Sequence, residues 1–115
     1  MKVITLLSLL AISSIAEARS MLTSWYDHGT VTANGEKFNP DGLTAAHKSL
    51  PFGTKLWLRY KDRQIVVRIN DRGPFIKGRE LDLARGAARK LQLKLDRVEV
   101  VQVIKPKLDK MEKRK

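Results

Sequence analysis

The chain has 115 residues, 23 Lys and Arg against 12 Asp and Glu, a formal charge of +11, and no cysteine. That length allows one small domain, and the missing cysteine excludes a disulfide scaffold, a thiolate metal site, a cysteine nucleophile and a lipid attached through sulfur. With 43% hydrophobic and 30% charged residues the composition is globular, and the charge calls for an anionic partner without choosing among nucleic acid, anionic lipid and acidic polysaccharide.

Residues 1–20 read as an export signal. Lys2 forms a short basic start, Val3 to Ile15 is apolar apart from Thr and Ser, and Ala16-Glu17-Ala18 is a small-x-small cleavage pattern. The apolar run is shorter than the roughly 20 residues of a spanning helix. Cleavage after Ala18 leaves a mature chain that keeps the +11 charge, because Lys2 and Glu17 leave together. Export weakens a cytosolic nucleic-acid role. The basic residues also lack the aromatic interleaving of a nucleic-acid surface.

The mature segment predicts several short strands and one helix. Residues 22–26 (LTSWY) form a strand, and 29–42, rich in Gly, Asn, Asp and Thr, an irregular hairpin or loop. Residues 43–47 are a short apolar step, and Leu50-Pro51-Phe52-Gly53 is a turn. In Lys55 to Tyr60, Leu56, Leu58 and Tyr60 share one face. Lys61-Asp62-Arg63 connects them to the β-branched strand Gln64 to Asn70, completing a hairpin. Asp71-Arg72-Gly73-Pro74-Phe75 breaks that strand.

Residues 83–93 carry helical spacing at Leu83, Ala87 and Leu91, with Asp82 able to cap the start. Gly86 costs about 1 kcal/mol against Ala there, so the helix should be short and packed. A last strand runs from Arg97 to Ile104, with Val98, Val100 and Gln102 on one face and Val101 and Val103 on the other. Residues 105–115 carry six basic and two acidic side chains and read as a solvated tail. Closure of the strands into a barrel removes exposed sheet edges.

Three polar clusters carry the chemistry. In Thr32-Ala33-Asn34-Gly35-Glu36, Asn-Gly favours a tight turn that presents Glu36, either as a functional carboxylate or as a solvated turn residue. In Leu43-Thr44-Ala45-Ala46-His47, the histidine is a rim residue, either a hydrogen-bonded structural ring or a catalytic one. His28 is expected to be exposed, and two histidines without paired carboxylate spacing argue against a metal. In Asn70-Asp71-Arg72-Gly73-Pro74-Phe75, a core strand ends in an acid, which a rigid element can aim. The plainer alternative has Asp71 accepting backbone amides in the turn. Arg72 can hold a substrate carboxylate or favour the charged form of its neighbour.

In order along the chain, Ser24-Trp25-Tyr26, Thr32 to Glu36, Leu43 to Lys48, Leu50 to Thr54, Asn70 to Phe75 and Asp82-Leu83 resemble the rare lipoprotein A (RlpA-like) family of septal lytic transglycosylases of the bacterial cell wall. The match covers roughly residues 22–104. It implies a mainly β fold, a six-stranded double-psi β-barrel with one short helix, shared with expansins and barwin-like proteins. It also implies cleavage of the β-1,4 bond between N-acetylmuramic acid and N-acetylglucosamine, with 1,6-anhydro ends. Family members prefer strands stripped of stem peptides.

The resemblance puts the catalytic residues at Asp71, Glu36 and His47, with Asp71 as leading acid/base, Glu36 as electrostatic partner and His47 orienting a carboxyl or a sugar hydroxyl. Asp82 matches a second family Asp; Arg72, Arg68 and Lys48 lie near the motifs with charges that can meet lactyl carboxylates, and Tyr26 and Asn34 complete the expected substrate contacts. Trp25 is expected to pack in the barrel. No cofactor or metal is implied, and the expected partner is peptidoglycan glycan, bound by a monomer. The sequence departs from the family in lacking a lipobox cysteine and in having a basic tail where members often carry a peptidoglycan-binding domain. Asp27-His28 also stands where Gly is usual. Lipid anchoring and septal targeting are therefore not carried over. The expected organisation is a signal peptide over residues 1–18, a barrel over 19–104 and a tail over 105–115, in the periplasm or outside the cell. The rival reading is a non-catalytic, expansin-like wall-binding module.

Overall fold

A computed structural model describes residues 20–107; the expected signal segment and most of the basic tail lie outside the described residues. Among the described residues six strands occur: β1 (Ser20–Tyr26), β2 (Thr44–His47), β3 (Lys55–Tyr60), β4 (Arg63–Asp71), β5 (Leu81–Ala84) and β6 (Asp96–Ile104). One helix among the described residues, α1 (Arg85–Leu91), follows β5 directly. The strands close into a barrel in the order β1-β5-β2-β4-β3-β6. Two pairings are parallel, β1 with β5 and β2 with β4. Both join strands distant in sequence, as the crossovers of a double-psi barrel require.

The alternation read in β3 is realised: Leu56 and Leu58 are fully buried while Trp57 is half-buried. Val67 and Ile69 of β4, Leu81 and Leu83 of β5, and Val98 and Val100 of β6 join them. Each such side chain contributes about 1.5–3 kcal/mol by leaving water. Ala87, Ala88, Leu91 and Leu93 bring α1 onto the same core.

Three local expectations are corrected. The helix begins at Arg85, because Leu83 and Ala84 are claimed by β5, where they pair with β2 and β1. Asp82 therefore caps no helix; Ala84 occupies the N-cap and makes no side-chain cap bond. On β6, Trp57 pairs with Gln102 but Leu58 with Val100, so Val101 is an extra residue. That bulge reverses the alternation. Val103 then packs on the core and Gln102 turns out to solvent.

Gly86 has a packing reason. A Cβ there would collide with the backbone of Asp41, and the Gly86 amide donates to the Pro40 carbonyl at 2.7 Å. The helix is short and packed as expected, with the 29–42 segment pressed on its first turn. That segment is an irregular hairpin, closed by a single antiparallel bridge between Val31 and Lys37.

Candidate functional site

The row of residues across β1, β5, β2 and β4 sets the site. Ser24 is in register with Asp82, Asp82 with Ala46, and Ala46 with Asp71. Side chains in one such row share a face. With strands about 4.8 Å apart, the Asp82 and Asp71 backbones lie roughly 10 Å from each other. Small Ala46 between them leaves space above the sheet. Between Ile69 and Asp71 the register skips Asn70, a bulge at the end of β4. Bulges of this kind re-aim side chains beside functional sites.

Asp71 sits at the strand end, as expected. Its Oδ2 accepts from the Tyr26 hydroxyl and its Oδ1 from the Ala33 and Arg72 amides, each at 2.9 Å. The amide-accepting role expected as the plainer alternative for Asp71 is thus present, with the phenol of Tyr26 added to it. Tyr26 is stacked on Phe38 with ring centroids 4.8 Å apart. Burial, and then the Asp71 acceptor and charge, push its phenol well above the ordinary range.

Glu36 is delivered by the Asn-Gly turn, with Gly35 at φ +93°. The turn is tied to β4 by the Asn34 amide donating to the Asn70 carbonyl at 3.2 Å. Glu36 is not merely solvated. Arg68 forks onto its two oxygens at 2.6 and 3.0 Å, and Asn70 and Asn34 donate side-chain amides at 3.1 and 3.0 Å. The Arg68 bonds first, then those of Asn70 and Asn34, hold the carboxyl at about 2 against the opposing effect of burial. Glu36 is therefore an anion at any working pH, suited to stabilising positive charge and unsuited to giving a proton. Asn70 is buried, and its Oδ1 has no protein donor among the described residues.

Asp82 differs. It accepts the Ser24 hydroxyl at 2.9 Å. Burial raises its carboxyl above the usual range; Ser24, Arg79 and His28 oppose this, and the charge of Asp71 adds to it. A carboxyl so placed keeps its proton further toward neutrality.

His47 ends β2, and its Nδ1 accepts the amides of Ser49 and Leu50 at 3.1 and 3.0 Å. Burial, then the charges of Arg72 and Lys48, hold it below the ordinary imidazole range. The neutral ring thus carries its proton on Nε2. His47 bonds neither Asp71 nor Glu36 among the described contacts, so the structural role expected for it is present. Arg72 donates to the His47 and Leu50 carbonyls at 3.2 and 2.9 Å and lies over Phe52, 4.0 Å from the ring centre. The guanidiniums of Arg68 and Arg72 thus already serve the protein, whereas Lys48 is exposed.

The fold brings Asp71, Glu36, Tyr26, Asn34, Arg68 and Asp82 to one face, whereas His47, in register with buried Leu81, contacts Ser49, Leu50 and Arg72 and none of the three acids. Ser24 and Asn70 join the site beyond the residues expected from sequence, through Asp82 and Glu36; their sequence signal is adjacency to Trp25-Tyr26 and to Asp71. Trp25 is a correction: it is 42% exposed, not packed in the barrel. The pairing of β1 with β6 runs from Ser20 to Thr23 and ends there, so the wall is open beside Trp25. His28 is exposed as expected. No group of three metal-ligating side chains occurs among the described residues.

Comparison with known proteins follows the same outline. The profile of the family described as lytic transglycolase matches residues 18–103. The chain is 50% identical over 84 residues to a Synechocystis sp. protein named "Probable endolytic peptidoglycan transglycosylase RlpA", covering 69% of this chain and 26% of that protein. It is 44% identical over 85 residues to the Campylobacter jejuni "Endolytic peptidoglycan transglycosylase RlpA", covering 70% and 31%. The chain thus spans about a quarter to a third of the length of these relatives. The solved Streptomyces papain inhibitor superposes with a TM-score of 0.55 at 18% identity, over 74% of this chain and 96% of that one. That likeness concerns the fold alone.

Proposed function

Because the chain belongs to the lytic transglycolase family, matched over residues 18–103, we propose that it is an exported lytic transglycosylase of peptidoglycan, cutting the bond between N-acetylmuramic acid and N-acetylglucosamine in peptide-poor strands. The observation that carries this reading is the single face bearing Asp71, Asp82 and the anionic Glu36, joined through Tyr26 and Ala46.

The bond sets the chemistry. The C6 hydroxyl oxygen of the muramyl residue attacks its own C1, and the C1–O4 bond breaks with its electron pair going to O4. O4 needs a proton and the C6 hydroxyl loses one, so no water is consumed. One carboxyl can give the first proton and take the second. Asp71 leads for this role by its rigid strand-end position. Glu36, held ionised, stabilises positive charge at C1 and O5. His47 Nε2–H and the Asn34 amide are donors for sugar hydroxyls. A second reading gives Asp82 the initial proton donation, on the observation that burial raises its carboxyl.

The test is digestion of peptide-free glycan strands with product analysis by mass spectrometry. Wild type is expected to release 1,6-anhydro ends, and Asp71→Asn to lose at least 100-fold in rate. Undiminished product from Asp71→Asn removes that residue from the reaction. Loss in Asp82→Asn alone, with unchanged glycan binding, moves the proton donor to Asp82. Binding without any anhydro product from wild type would establish the wall-binding alternative.

A further inference from the structure

We propose that the cleft between Trp25 and helix α1 is a second glycan subsite, separate from the carboxylate face and selective for sugars bearing a carboxylate; it rests on the peptidoglycan reading above. Trp25 and Tyr26 are adjacent in β1 and so project to opposite faces. Tyr26 reaches Asp71, whereas Trp25 lines a cleft of about 430 Å³ with Ala88, Leu93, Arg85, Arg89 and Lys94. A volume of that size accommodates one or two sugar rings.

The chemistry of the lining selects the occupant. The exposed indole offers a flat apolar surface, which suits the C–H face of a pyranose. Buried Ala88 and Leu93 supply an apolar floor. Arg85 is engaged with Asp41 at 2.9 Å. Arg89 and Lys94 are exposed, have no salt-bridge partner among the described residues, and no acidic side chain lines the cleft. A flat apolar wall beside two unpaired cations matches a muramyl residue, which offers a pyranose ring and a lactyl carboxylate together. A neutral chitin-type oligosaccharide offers only the ring.

The experiment uses ¹⁵N-labelled chain carrying Asp71→Asn, so that ligand stays intact. The molecule has two indole N–H groups, and that of Trp57 donates to Gln64 Oε1 at 2.7 Å, making it an internal reference. Trp25→Phe assigns the signals. Titration with peptide-free muramyl glycan oligomers is expected to shift the Trp25 indole signal saturably and leave Trp57 in place. Chitin oligosaccharides should act at least tenfold more weakly. Arg89→Glu with Lys94→Glu should weaken the Trp25 response at least tenfold while the Asn34 side-chain amide, on the carboxylate face, still responds.

A silent Trp25 beside a responding Asn34 overturns the subsite and leaves the proposed function standing. Equal response to both sugars, or indifference to the double charge reversal, overturns its carboxylate selectivity. Silence of both signals overturns the glycan reading itself.

Discussion

At the scale of single residues, the site separates three carboxyls by environment. Glu36 has four donors from three residues and stays charged; Asp82 has one hydroxyl donor and is half-buried; Asp71 bonds two backbone amides and a phenol. The sign of the Glu36 shift makes a stability prediction. Its folded value, about 2, lies below the ordinary 4.5. Its stabilising contribution is therefore complete above the ordinary value and lost as pH falls through about 2. Thermal melts from pH 6 downward are expected to show a steeper fall for wild type than for Glu36→Gln. Parallel curves would show that the Arg68 fork contributes nothing to folding. For Asp82 the sign is opposite: its ionised form is disfavoured by the fold, so Asp82→Asn is expected to raise Tm by a few degrees at neutral pH, even as it affects the site.

At the scale of elements, intrinsic preference and context disagree most openly at α1. Helix propensity makes Gly86→Ala stabilising by about 1 kcal/mol. The Asp41 backbone occupies the place of the new methyl group, and that backbone belongs to the segment joining the Glu36 turn to β2. Displacing a packed neighbour costs about 1–3 kcal/mol. Gly86→Ala is therefore expected to lower the denaturation midpoint, with no change in the dependence on denaturant; a raised midpoint would show that the 39–42 loop yields freely. The two bulges are likewise decided by context. Neither Asn70 nor Val101 carries a local mark of being an extra residue; the register of β2 and β3 decides it.

At the scale of the whole molecule, the positive charge acquires geography. Residues 19–104 hold 16 basic against 9 acidic residues, so +7 of the +11 lies on that segment. Several of those cations are already committed: Arg68 to Glu36, Arg59 to Glu99, Arg85 to Asp41 and Arg97 to Glu80. Lys48, Arg89 and Lys94 are exposed without salt-bridge partners among the described residues. Binding of peptide-free glycan, measured by calorimetry, is expected to weaken roughly tenfold from low to high salt, since exposed charges are screened within about 10 Å at 0.1 M. Binding that ignores salt would mean that these cations do not meet the muramyl carboxylates.

Much of this protein is determined by local sequence alone. The strand in Lys55 to Tyr60 follows from strict alternation, the turn at Gly35 from Asn-Gly, and the placing of an acid at a strand end from Asn70-Asp71-Arg72-Gly73. These depend on contacts between near neighbours, which a sequence displays. Only the tertiary structure decided the rest. It moved Leu83 and Ala84 from helix to strand, since β1 and β2 offered them backbone partners. It left Trp25 exposed at an open end of the barrel, since β6 stops short of it. It made Glu36 and Asp82 unequal, since a carboxyl's charge depends on donors and burial supplied from β1 and β4. Such effects come from residues distant along the chain, and their proximity exists only once the barrel has closed.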